Sequence, residues 1–157
     1  MEKKWLQHWP KNVPQSIDYP NISLGEMLNE SASRTPDSVA IFFQDRQITY
    51  QELDRLVDRF GRALQDLGIG KGDRVAIILP NTPQFVIAYY GALRIGAIVV
   101  ACSPLNKERE ISNVLTDSEA RILISWDKLH PYVKAANLDF SCRPTAVVIL
   151  WPGSWAG

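Results

Sequence analysis

The sequence is poor in the residues that most often announce chemistry or compartment. It has two cysteines and two histidines in 157 residues. Cys102 and Cys142 lie far apart, and they read as reduced thiols of a cytosolic protein, with a disulfide or metal site as the lesser alternative. His8 and His130 each stand alone and read as surface or packing residues. Excess charge of either sign is missing: 17 basic residues balance 17 acidic ones. A nucleic-acid binder would show a basic face, so nucleic acid is not an expected partner. Low-complexity segments and internal repeats are absent. Met1-Glu2-Lys3-Lys4-Trp5 leads into no apolar core, so it is not read as a signal peptide. Phe85 to Cys102 comes nearest to a membrane span, for which about 20 residues are needed. Arg94 sits inside it and Gly91 and Gly96 interrupt it, so the stretch reads better as a buried helix followed by a strand, with no transmembrane segment.

What is present is an α/β pattern. Val75 to Leu79 is an unbroken apolar run rich in β-branched residues, as a strand covered on both faces would be. Pro80 stops it, Thr82 can cap a helix, and Pro83 suits the first helical position. Phe85 to Ile95 is apolar on nearly every side and predicts a buried helix, ended at Gly96. Ala97 to Cys102 predicts a second buried strand. Strand, helix and strand of this kind form a βαβ unit with parallel strands.

Around that unit the elements follow in order. Residues 1–22, with Trp5, Trp9, Pro10, Pro14 and Pro20, predict an extended arm laid over a domain surface. Ser23-Leu24-Gly25-Glu26 is a capping box opening a helix whose apolar face is Leu24, Met27, Leu28 and Ala32. Val39 to Phe43 predicts a strand, and Gln44 to Gln47 the turn of a hairpin into Ile48-Thr49-Tyr50. Thr49-Tyr50-Gln51-Glu52 is a second capping box, with Ile48 against Leu53 as a hydrophobic staple. In the helix that follows, Leu53, Leu56, Val57, Phe60, Leu64 and Leu67 form the apolar stripe. Asp54, Arg55, Asp58, Arg59, Arg62 and Asp66 are expected to face water. Gly68, Gly70 and Gly72 follow a helix and precede a strand, the reverse of a dinucleotide fingerprint, and read as a connection. Asn106 is expected to cap a helix buried through Ile111, Val114 and Leu115. Arg121 to Ser125 predicts a third strand of the sheet, Lys128 to Ala136 a short helix, and Thr145 to Leu150 a fourth strand.

In an open parallel sheet, ligands bind beyond the carboxyl ends of the strands. That rule makes Asn81, Thr82, Cys102 and Ser103 the expected substrate-facing rim, with Trp126 and Asp127 at the next strand end. No Ser/His/Asp set, paired carboxylates or metal-ligand spacing accompanies them, so no catalytic, cofactor-binding or metal residue is assigned.

Several stretches together resemble one family. Ile48-Thr49-Tyr50-Gln51-Glu52-Leu53 looks like the first core motif of the AMP-forming acyl-CoA synthetases, the adenylate-forming AMP-dependent synthetases and ligases. Gly70 to Ala76 and Leu79 to Phe85 are similar to the family segments that follow. Tyr89 to Val100 with Ser103-Pro104-Leu105 resembles the second core motif, and Leu115 to Arg121 also matches. Pro80-Asn81-Thr82-Pro83-Gln84-Phe85 leans toward the fatty acid–CoA ligase branch. The resemblance implies a partial parallel-sheet subdomain, residues 23–150, with helices on both faces. It implies ATP-dependent activation of a carboxylic acid to an acyl-adenylate and transfer to coenzyme A, with Mg²⁺. In the family the ATP site is a Ser/Thr/Gly-rich lysine loop, followed by later motifs and a mobile C-terminal domain. None of these is in this sequence, so the chain alone is expected to bind no cofactor and to be inactive. Residues 151–157, Trp151 to Gly157, depart from the family pattern. Three organisations stay open: a truncated synthetase, a structural subunit of a split synthetase whose second chain holds the ATP site, and a standalone small-molecule-binding module. The expected location is cytoplasmic, with peripheral membrane association through an acyl substrate left open.

Overall fold

The computed structural model describes residues 4–135 and 146–150. The elements run in the order α1 (Leu24–Arg34), β1 (Val39–Phe43), β2 (Arg46–Thr49), α2 (Tyr50–Asp66), β3 (Arg74–Ile78), α3 (Pro83–Arg94), β4 (Ile98–Ala101), α4 (Glu108–Ser118), β5 (Ile122–Trp126), α5 (His130–Ala135) and β6 (Ala146–Leu150). Two short 3₁₀ turns, Lys4–His8 and Asp127–Leu129, precede α1 and α5. Cys142, residues 136 and 145 at two predicted element ends, the 151–157 tail and the His130 side chain lie outside what is described.

Four parallel strands form one sheet in the order β4-β3-β5-β6, and β1 and β2 form a separate antiparallel hairpin. Alternate residues of β3 and β5 serve opposite layers. Val75, Ile77, Ile122 and Ile124 pack with Leu64, Ala88 and Ala92 of α2 and α3. Ala76, Ile78 and Leu123 pack with Ile111 and Leu115 of α4 and Val133 of α5. The predicted parallel sheet with helices on both faces is therefore the observed one. A third cluster, Leu28, Ile48, Leu53, Val57 and Ile87, ties α1 and the hairpin to α2 and α3.

Local signals set the helix ends. The Ser23 hydroxyl accepts from Glu26 N–H at 3.2 Å while Ser23 N–H donates to Glu26 Oε2 at 2.7 Å, closing the first capping box. Thr49 Oγ1 accepts from Glu52 N–H at 3.2 Å, and Ile48 and Leu53 are both buried. Gly68 and Gly96 each follow a helix at φ 77°, a conformation that a Cβ would strain. α2 and α3 cross in close contact: a Cβ on Gly91 would come within 2.9 Å of Phe60 Cδ1.

Five details differ from expectation, each for a physical reason. Leu24 and Met27 are exposed, and Gly25 joins Leu28 and Ala32 on the buried side of α1, because α3 packs against that side, with the Arg94 backbone 3.5 Å from where a Cβ of Gly25 would stand. Asp54 and Asp58 are only partly exposed: they clamp Arg94 of α3 at 2.6 Å each, which is how a largely apolar helix carries a charge only 19% exposed. The hairpin turn is the two residues Gln44 and Asp45, since Phe43 already pairs with Arg46. α4 starts one residue late, because the Glu110 carboxylate reaches back to Lys107 N–H at 2.9 Å while Asn106 N–H donates to Ser103 O in the preceding turn. β4 is not buried: it is the sheet's outer strand, and Ile98 is 52% exposed. The arm before α1 is exposed along most of its length. No helix among the described residues is long and apolar enough to cross a membrane.

Candidate functional site

From β3 the chain passes through α3 to β4 on one side, and from β5 it passes through α5 toward β6 on the other. The direction of winding therefore reverses between β3 and β5. Such a switch point leaves a crevice at the carboxyl ends of the two strands, because the connecting helices diverge. A cavity of about 690 Å³ opens there, within the size range of ligand sites.

Three stretches wall it. Leu79 to Gln84, the turn from β3 into α3, forms one side; Phe43 to Ile48 of the hairpin forms the facing side; Trp126 closes the end of β5. Glu52 adds a carboxylate from the first turn of α2. The β3–α3 turn is fixed by its own backbone, with Thr82 N–H donating to Pro80 O at 2.8 Å and Phe85 N–H to Thr82 O at 3.0 Å. Thr82 is the N-cap of α3 by position, but its hydroxyl makes no cap hydrogen bond and reaches only Pro80 O at 3.4 Å. The hairpin turn holds Gln44 at φ 52°.

Of the four expected rim residues, Asn81 and Thr82 line this cavity, Asn81 exposed and Thr82 half-buried. Cys102 and Ser103 lie past the end of β4 and are not part of its wall. Burial pushes the Cys102 thiol upward from its ordinary value, so it is a poor nucleophile. The Ser103 hydroxyl accepts from Leu105 N–H at 3.2 Å and serves the turn. Sequence reasoning missed the hairpin wall, Glu52 and Gln84. For the hairpin no local signal exists, since its placement over the sheet edge is a long-range contact. For Gln84 there was one: it is a carboxamide in the first turn of an otherwise apolar helix.

Charge limits what the cavity can hold. Its walls carry Asp45 and Glu52 against Arg46, a formal charge of −1. A nucleotide triphosphate needs converging cations and backbone donors, and this lining supplies one cation, no lysine and no glycine. Among the described residues no group of three or more His, Cys, Asp or Glu is placed to hold a metal ion. The residues present do not fit ATP with its metal. Polar atoms do remain to be satisfied: Gln84 Oε1 and Trp126 Nε1 are buried without a partner among the described residues, as is Oδ1 of the neighbouring Asp127. Lys128 Nζ sits 4.8 Å from the centre of the Trp126 ring, within cation–π range.

A family model described as AMP-binding enzyme matches residues 28–152. A long-chain-fatty-acid–CoA ligase of Bacillus subtilis is 40% identical over 130 residues, which are 83% of this chain and 23% of that protein. A 3-hydroxybenzoate–CoA/4-hydroxybenzoate–CoA ligase of Thauera aromatica is 42% identical over 113 residues, 71% of this chain and 21% of that protein. The chain thus spans under a quarter of the length of these curated relatives. Among solved structures, the inhibitor-bound N-terminal domain of FACL13 from Mycobacterium tuberculosis is similar at a TM-score of 0.75 and 30% identity, over 82% of this chain and 33% of that one. The match over residues 28–152 takes in the hairpin, the whole α3 crossover and the switch-point cavity, and by it the chain belongs to the AMP-binding enzyme family.

Proposed function

We propose that this chain is the N-terminal scaffold of an ATP-dependent acid–CoA ligase, which converts a fatty or other carboxylic acid to its acyl-adenylate and then to the CoA thioester. The observation that carries the reading is the 40% identity over 130 residues to a long-chain-fatty-acid–CoA ligase. On this reading the acid, ATP and coenzyme A are the substrates of the assembled enzyme, which works in the cytoplasm. Adenylate formation gathers negative charge around the reacting phosphates, and that charge must be met by cations and oriented donors. At the switch-point cavity this chain contributes a single cation, Arg46, in a lining whose formal charge is negative. Its role is to hold a rigid sheet and present the carboxyl edge of that sheet to the groups that react. The chain alone is then proposed to hold no nucleotide, metal or coenzyme A. The Asn81 and Thr82 rim borders the working part of the enzyme without entering the chemistry.

The test is reconstitution. The 157-residue chain is mixed with the polypeptide that follows the matched region in the Bacillus subtilis ligase, and thioester formation is followed with ATP, Mg²⁺, coenzyme A and a panel of fatty and aromatic acids. Turnover that needs both polypeptides is expected. A complex of the two that forms and stays inactive with every acid would contradict the ligase reading.

A further inference from the structure

The arm before α1 keeps its apolar side chains outside. Every residue from Lys4 to Asn21 except Leu6 is exposed. Trp5 is 63% exposed, Ile17 66% and Tyr19 80%, with Trp9 and Val13 exposed as well. Both exposed tryptophans among the described residues are here. Single exposed apolar residues are ordinary, whereas a series of five in one short segment marks an interaction surface. The hydrogen bonds of the arm are local: Trp9 N–H donates to Leu6 O and Val13 N–H to Pro10 O, at 3.2 and 3.1 Å. Trp9 Nε1–H donates to Val13 O at 2.9 Å, so that indole carries no unmet donor out of water, where one would be costly.

The composition of the arm says what covers it. Lys4 and Lys11 stand against Asp18, which leaves the segment basic by one charge. Tryptophan and tyrosine beside lysine are the residues that settle where lipid headgroups meet hydrocarbon, the rings at the boundary and the ammonium groups among the headgroups. A protein sheet edge is a poorer match, because Pro10, Pro14 and Pro20 remove backbone donors through which an extended segment would pair. The family match begins at residue 28, so the arm precedes the part of the chain that it covers.

We propose that residues 4–22 are an interfacial anchor, which lays Trp5, Trp9, Ile17 and Tyr19 on an anionic lipid bilayer with Lys4 and Lys11 at its headgroups. The chain itself makes the contact. It needs no acyl substrate and does not rest on the ligase reading. The negative surface of a cytoplasmic leaflet suits the sign of the arm.

The test is sedimentation of the 157-residue chain with vesicles of phosphatidylglycerol and phosphatidylcholine in about a one-to-three ratio. The double variant Trp5→Ser, Trp9→Ser should bind at least about tenfold more weakly than wild type. Lys4→Gln with Lys11→Gln should weaken binding to these vesicles and leave binding to pure phosphatidylcholine unchanged. Phe42→Ser, which removes a ring 70% exposed on β1, is the control and should bind as wild type does. Circular dichroism melts of all variants should match the wild type, since no residue of the 3₁₀ turn in the arm is buried. Lack of wild-type sedimentation, or equal binding by the double tryptophan variant, overturns the anchor. So does an equal loss in Phe42→Ser, which would make binding a general effect of exposed rings. A dimer of the chain that the double variant dissociates, without vesicle binding by wild type, would make a second copy the partner and overturn it too. Vesicle binding is read without ATP or acid, so each of these outcomes leaves the ligase reading standing.

Discussion

The two edges of the sheet are built differently. At the amino edge the polar groups are tied to one another. Arg74, the first residue of β3, donates to Ser118 O and Glu119 O at 2.9 and 3.1 Å and pairs with the Glu119 carboxylate at 2.9 Å. Asp73 accepts from Arg121 at 2.8 Å and from Gly70 N–H at 2.8 Å. Backbone bonds join the same loops, from Ile98 N–H to Asp73 O and from Arg121 N–H to Arg74 O. The carboxyl edge instead holds the cavity and three orphaned polar atoms. One edge is tied together by its own hydrogen bonds, and the other opens into a cavity. That contrast separates residues whose side chains tie the fold together from residues that line the cavity.

The deepest way to break the comparison is through the strand that both edges share. Ile77 is fully buried at the centre of β3. Ile77→Ala should lose about 2–5 kcal/mol by the removed transfer energy and the cavity left behind, read by urea denaturation. Arg94→Ala comes next. It leaves Asp54 and Asp58 without their cation where they are 24% and 44% exposed. The cost should fall between that of a surface pair and a fully buried one, about 2 kcal/mol, and Arg94→Met should recover part of it through packing against α2.

Helix caps sharpen the comparison at a smaller scale. Ser23 closes a reciprocal capping box, whereas Thr82 occupies the N-cap of α3 with no cap hydrogen bond. Ser23→Ala should cost about 1 kcal/mol. Thr82→Ala should stay within about 0.5 kcal/mol in the isolated chain, as a substitution away from any stabilising feature does. Parallel thermal melts of the two variants give the comparison directly. Equal losses would mean that Thr82 stabilises the fold, and the carboxyl edge would lose its distinction.

The smallest effect is expected at Asp73, whose ion pair is open to solvent, but it carries a pH signature. The hydrogen bond from Arg121, and after it the one from Gly70 N–H, hold its carboxyl below the ordinary 3.8. A depressed carboxylate adds stability that is fully present above its unfolded value and lost as pH falls through the lower folded value. Asp73→Asn should therefore be less stable than wild type from neutral pH down to about 4, with the gap closing below 3.8. A gap that persisted at pH 2 would assign the loss to packing.

Most of the fold is legible because its signals are local. The capping boxes at Ser23 and Thr49 fix where α1 and α2 begin, and the apolar runs of β3 and β5 match strands covered on both faces. What was not legible depends on neighbours distant in sequence. An apolar strand reads as buried whether it lies in the middle of a sheet or, like β4, at its edge. Asp54 and Asp58 fall on the polar side of a helical wheel, and only the approach of Arg94 from α3 makes that side an interface. At the candidate site, Asn81 and Thr82 follow from the rule about strand ends. The hairpin that walls the other side packs through Ile48 into the α1–α2–α3 cluster, and nothing near Gln44 or Asp45 announces it.

The most direct measurement is pyrophosphate release by the purified 157-residue chain alone, with ATP, Mg²⁺ and a panel of fatty acids, with and without coenzyme A. A scaffold whose switch-point cavity carries a formal charge of −1 should release none above the no-acid control. Acid-dependent release would mean that an ATP site exists within these residues without a lysine loop, and the reading of this chain as a scaffold with no nucleotide site of its own would be wrong.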